Sequence, residues 1–95
     1  MFENERYITS GIEAALEPAL QNMLWYLIEA VEVKEKSNLQ VFELSVVHSV
    51  LHATHSQEQP DYCQTHALPG FAPVAAKVFV IDDGDHSTML LANEY

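Results

Sequence analysis

One stretch of this chain repeats apolar residues at helical spacing: Leu20, Met23, Leu24, Leu27, Ile28 and Val31 fall at i, i+3, i+4, i+7, i+8 and i+11. Residues so spaced lie on one side of a helix, so residues 17–33 predict an amphipathic α-helix whose stripe must be buried against another element. Pro18 suits the first turn, where a missing N–H leaves nothing unpaired. Ser10 and Glu13 have the spacing of a capping box for a short turn ahead of the main helix. Glu32-Val33-Lys34-Glu35-Lys36-Ser37-Asn38 is polar and reads as the last turn and a connection.

Beyond that tract the period drops to two. Residues 39–47 set Phe42, Leu44 and Val46 against Glu43 and Ser45, with the β-branched and aromatic content of a strand. His48-Ser49 is placed to turn the chain, and residues 50–56 return antiparallel. Residues 59–73 carry Pro60, Pro69, Gly70 and Pro73 and read as mostly loop, with one extended piece over 62–68. Residues 76–81 form a compact apolar run that predicts a central strand. Asp82-Asp83-Gly84-Asp85 is a turn, and 87–91 return as a second hairpin. Residues 6–9 add an edge strand. The expected fold is α+β, one amphipathic helix packed on a short antiparallel sheet of about four to five strands. With 95 residues, a single domain over 1–95 is expected.

Charge narrows the function classes. Fourteen acidic residues against Arg6, Lys34, Lys36 and Lys77 give a net charge of −10, which repels phosphate backbones and anionic lipid, so neither a nucleic acid nor a membrane is expected as partner. No apolar run is long enough to span a bilayer, and the first residues lack the basic start and apolar stretch of a signal peptide. A single cysteine, Cys63, forms no internal disulfide, which fits a reducing compartment; the expected location is the cytoplasm. No basic residue lies near Cys63 in sequence to activate its thiol.

The remaining polar residues have plainer roles than catalysis or metal binding. His48, His52, His55, His66 and His86 lack the spacing of a metal site, since His52 and His55 point to opposite faces of a strand. Asp82, Asp83 and Asp85 do not continue into the twelve-residue pattern of a calcium loop, and Gly84 reads as a turn glycine at positive φ. Asp85-His86-Ser87 sets hydrolase residue types in a row, but neighbours on an extended chain face alternate sides and form no relay. No catalytic residue, metal or cofactor is therefore assigned. Trp25 sits beside the helical stripe; sealing the rim of the core is the plainer reading, and an interface anchor is the alternative.

Arg6-Tyr7-Ile8-Thr9-Ser10-Gly11-Ile12, Leu39-Gln40-Val41-Phe42-Glu43-Leu44, His55-Ser56-Gln57-Glu58-Gln59-Pro60 and the terminal segment 78–95, beginning Val78-Phe79-Val80-Ile81-Asp82-Asp83-Gly84-Asp85-His86, resemble a family of small proteins of unknown function from low-GC Gram-positive bacteria and their phages. The likeness spans nearly the whole chain and departs over 62–74, where Cys63, His66 and the Pro69-Gly70 pair stand. It implies no activity and no residue roles. It does point to two polar stretches, and if the strands carrying them end on one side of the sheet, His55, Gln57, Glu58, Asp83, Asp85 and His86 would share a binding surface. The expectation is a small acidic protein-binding or regulatory module, phage- or mobile-element-associated, acting on a protein partner or as a homo-oligomer. The alternative is a small hydrolase or metal-dependent enzyme that uses the histidine and aspartate surface.

Overall fold

The computed structural model describes residues 2–31, 35–58 and 61–95. The expected helix end at Glu32 and Val33, the tract at Lys34, and the loop start at Gln59 and Pro60 lie outside the described residues. The elements run β1 (Glu5–Ile8), α1 (Ser10–Ala15), α2 (Pro18–Ala30), β2 (Leu39–Val47), β3 (Val50–Gln57), β4 (Tyr62–Leu68), β5 (Ala76–Asp82) and β6 (His86–Leu91), closed by a 3-10 turn at Ala92–Glu94.

The long helix starts with Pro18 in its first turn and buries Leu20, Leu24, Trp25, Leu27 and Ile28, with Val31 buried just past its end. Each such aliphatic side chain, fully removed from water, contributes about 1.5–3 kcal/mol. Ahead of it stands α1, a second helix that the expected fold counted only as a turn. Six residues are too few for a 3.6-residue period to declare itself. Thr9, not Ser10, is its N-cap: the Thr9 hydroxyl accepts from the Ile12 N–H at 3.3 Å and donates to Glu94 Oε1 at 2.6 Å. Thr9→Ala is expected to lower stability by about 1 kcal/mol in urea denaturation.

The sheet has six strands in the order β1-β6-β5-β2-β3-β4, more than the four to five expected. Both hairpins formed as their alternation requires. β2 and β3 pair from Val47–Val50 to Val41–Ser56, and β5 and β6 from Asp82–Ser87 to Val78–Leu91. His48 and Ser49 take φ of 50° and 66°, the left-handed pair of a two-residue hairpin turn, so backbone twist dictates the turn without an Asn-Gly sequence. Gly84 sits at φ 102° in the second turn.

Two features correct the expected sheet. β1 pairs parallel to β6, so the sheet is mixed rather than wholly antiparallel. Residues 62–68 are a full strand, paired with β3 over seven positions rather than an extended piece within a loop. An edge strand needs little apolar periodicity, and β4 has almost none. Val46, expected on the inner face, is 45% exposed, because it lies beside the hairpin turn, beyond Leu44, the last β2 residue in the core.

Residues opposite one another across strands share a face. The inner face carries Phe42, Leu44, Leu51, Ala53, Val78, Val80 and Met89, packed with Ile12, Leu16, Leu20, Leu24 and Ile28 of the helical segment, and with Phe2. Both helices therefore cover one face. The other face carries Leu39, Val41, Glu43, Lys77, Phe79 and Ile81, and none of these is among the core residues.

Candidate functional site

β3 and β5 end where β2 and β6 begin, and the Asp82 N–H donates to the Asn38 carbonyl at 2.9 Å across this end of the sheet. Gln57 and Glu58 thus lie at the same end as Asp83, Asp85 and His86. β3 and β6 are separated by β5 and β2, so three strand spacings, about 14 Å, divide the two sets. They form two groups rather than one cluster.

The group at the second hairpin is open to water. His86 Nε2 lies 3.1 Å from Asp83 Oδ2, and the His86 N–H donates to Asp83 Oδ1 at 3.2 Å. Tyr7 meets the imidazole edge-on at 5.2 Å. An exposed pair of this kind contributes little to stability. Asp85 is exposed on the same turn. The organising residue here is Asp82, which the sequence places in the turn and not on the proposed surface. Its carboxylate accepts from the Phe2 N–H at 2.8 Å, the Gly84 N–H at 2.8 Å and Asn4 Nδ2 at 3.0 Å. These donors, the Phe2 N–H foremost, hold its carboxyl below the usual carboxylate range. Ser87 Oγ donates to Asn4 Oδ1 at 2.6 Å, so β5 and β6 fasten the segment ahead of β1.

The group at β3 is turned inward. His55 is fully buried, stacked on Phe42 at 4.3 Å with Tyr62 edge-on at 5.3 Å, so it belongs to the core and not to the proposed surface. Its Nε2 lies 2.6 Å from Gln40 Oε1. The Gln40 amide is oriented by two acceptors, the Ser37 carbonyl at 2.8 Å and Gln57 Oε1 at 2.7 Å, which leaves only its oxygen for the imidazole. His55 Nε2 is therefore the protonated nitrogen, and Nδ1, buried with no hydrogen-bond partner, carries none. Burial, followed by the charges of His66 and Lys36, lowers its pKa to about 4. Gln57 completes the relay: its Oε1 also accepts from the Ser37 N–H at 3.0 Å, and its Nε2 donates to the Glu35 carbonyl at 3.1 Å. Buried side chains thereby pin the connection that enters β2.

Glu58 alone of that group is exposed. It borders a cavity of about 560 Å³ on the uncovered sheet face, floored by Leu39, Val41 and Ser56 and rimmed by Glu43, Asp61 and Lys77. No histidine lines it, and among the described residues no three His, Cys, Asp or Glu side chains gather as a metal site. Trp25 is buried, with the Arg6 guanidinium 4.7 Å from its ring centroid and that guanidinium bonded to Glu29 at 2.9 Å. Sequence parity held a signal for Gln40, which alternates in step with Phe42 and Leu44 and so had to face inward. The turn marked the contact of Asp82 with the Gly84 N–H, but nothing local marked its other partners, Phe2 and Asn4, which lie about eighty residues away.

The fold and these two polar groups define a small acidic protein with a mixed six-stranded sheet, helices on one face and polar networks that brace its strand ends. Residues 5–94 match the family described as staphylococcal protein of unknown function (DUF960), and the chain belongs to that family. A crystal structure of a protein of unknown function from Enterococcus faecalis is similar to it, at 25% identity and a TM-score of 0.85, covering 98% of this chain and 92% of that one. No curated protein matches the chain. Among the described residues no helix is long and apolar enough to cross a membrane.

Proposed function

We propose that the chain is a cytoplasmic protein-binding or regulatory module of Gram-positive bacteria and their phages, and that it holds its partner on the uncovered face of the sheet. The observation that carries this reading is the apolar surface there. Val41 and Phe79, each partly open to water, stand side by side on β2 and β5 next to the buried Leu90 of β6, with Leu39, Ile81, Thr88 and the exposed Tyr7 in the adjacent row. Tyr95, 82% exposed, crosses them edge-on to Phe79 at 5.6 Å. A continuous apolar patch on an acidic protein is a feature of interaction surfaces. Around the cavity beside it Glu43, Glu58 and Asp61 outnumber Lys77, so the fitting partner is a protein with an apolar patch flanked mainly by lysine or arginine.

Two other readings are less well supported. Mimicry of nucleic acid calls for aligned carboxylates, whereas those of Glu13, Glu29, Glu43 and Asp83 are spread over both helices, a strand and a turn. A hydrolase calls for histidine and aspartate in a pocket, whereas Asp83 and His86 stand in the open. In cross-linking and capture from the native host, Phe79→Glu is expected to weaken recovery of the partner by about tenfold or more, equivalent to 1.4 kcal/mol. The urea midpoint should stay near wild type, and capture by wild type should fall as salt is raised. Undiminished, salt-insensitive capture by Phe79→Glu would remove this reading.

A further inference from the structure

The two edges of the sheet differ. β1 is four residues long and carries Glu5 and Arg6, charges that deter pairing with another strand. β4 spans seven residues, Tyr62-Cys63-Gln64-Thr65-His66-Ala67-Leu68, with no charged side chain, no proline and an unbroken register against β3. Among the described residues it therefore lacks the charge, proline and bulge that guard an edge.

Alternation of the ladder tells which β4 groups face outward. The Val47–Val50 pair closes a two-residue turn and is hydrogen-bonded to itself across the hairpin, so bonded positions alternate from there. The same parity accounts for the Asp82 N–H to Asn38 carbonyl bond on the other side of β2. Carried through β3, it directs the backbone of Tyr62, Gln64, His66 and Leu68 toward β3. The N–H and C=O groups of Cys63, Thr65 and Ala67 then point away from the sheet.

We propose that β4 is a homodimer edge, pairing antiparallel with β4 of a second copy about a two-fold axis at Thr65. In that register Thr65 faces the partner's Thr65 and Cys63 faces the partner's Ala67, so every outward N–H meets an outward C=O. Tyr62 meets the partner's Leu68, an aromatic–aliphatic pair, and Gln64 meets the partner's His66. Charge selects this arrangement. Asp61, just before β4, falls opposite the uncharged Pro69 of the other copy, whereas a parallel pairing would set acid against acid in a chain of net charge −10. A basic peptide finds no carboxylate on this strand to recognise. The edge adjoins the apolar face at Asp61 and Cys63, but Phe79 lies on β5 and Thr65 on β4, so substitution at each tests the face and the dimer separately.

Sedimentation of the whole protein over a range of concentrations is expected to show a monomer–dimer equilibrium. Thr65 is exposed and its hydroxyl meets that of Thr54 at 3.0 Å, so at dilutions where wild type is monomeric Thr65→Asp should keep the circular dichroism and lose only the little that this contact contributes, while raising the dimer dissociation constant about tenfold or more, because like charges then face each other across the axis. Thr65→Lys should weaken the dimer as well, although it reduces the net charge of each chain. Ala67→Cys should form a covalent dimer with native Cys63 under oxidised glutathione, opposed strands holding their Cα atoms about 5.5 Å apart. Adding Cys63→Ser should abolish that link. A wild-type protein that stays monomeric, a dimer indifferent to both Thr65 variants, or cross-linking that persists without Cys63 would overturn the proposal.

Discussion

Lowering the pH from 7 to 4.5 is expected to remove about 2–3 kcal/mol of stability through His55 alone. Its pKa is about 4 in the folded chain, against the ordinary 6.5 when unfolded. The folded state therefore binds fewer protons between those values, and acid favours the unfolded chain. The stabilisation is fully present above pH 6.5 and is lost progressively as the pH falls toward 4. The cause is geometric. Nε2 already holds its proton against Gln40 at 2.6 Å, so the second proton must go to Nδ1, which is buried and partnerless. Urea midpoints at pH 7, 5.5 and 4.5 measure the effect. At pH 7 His55→Phe should cost about 1–3 kcal/mol, from the Gln40 side-chain oxygen left without a donor, and that deficit should shrink toward pH 4.5 as wild type alone loses the imidazole's contribution. Asp82 and Glu94, whose carboxyls are held low, affect both proteins alike, so the difference isolates the imidazole. Equal acid sensitivity in wild type and His55→Phe would refute this account.

Phe42→Ala is expected to have the larger effect at neutral pH, about 3–5 kcal/mol in the same denaturation experiment. The ring is fully buried at the centre of the inner face and lies parallel to His55, 4.3 Å away. Removing it opens a cavity beside Nδ1. Water entering there would solvate the imidazolium and lift the His55 pKa toward its ordinary value, so the acid dependence should shrink as stability falls. The two substitutions are then coupled, and Phe42→Ala with His55→Phe should cost less than the sum of the single changes. Strict additivity would show that the stacked pair does not act as a unit.

The resulting picture separates bracing from binding. Of the polar residues noted from sequence, His55 and Gln57 fasten the entry to β2, while Glu58 borders the open cavity. Asp83, Asp85 and His86 shape the second hairpin turn, and the deeper role at that turn belongs to Asp82.

Local sequence determined the long helix and first hairpin through repeats of 3.6 and 2, and the second hairpin through an apolar run ending in an Asp-Gly turn, because these signals are written residue by residue and depend on no distant partner. It also placed the turns at His48-Ser49 and Gly84, where the hydrophobic pattern changes strand. Only the tertiary structure decided the rest. β1 lies against β6 through pairing between residues about eighty positions apart, and β4 is a strand because β3 offers it a ladder. Whether His55 meets water or Phe42, and whether Asp82 finds Phe2 and Asn4, follow from register between strands and from long-range contact. Local sequence cannot encode those relations, since the energy of a buried polar group or an edge strand resides in the groups brought to it by folding.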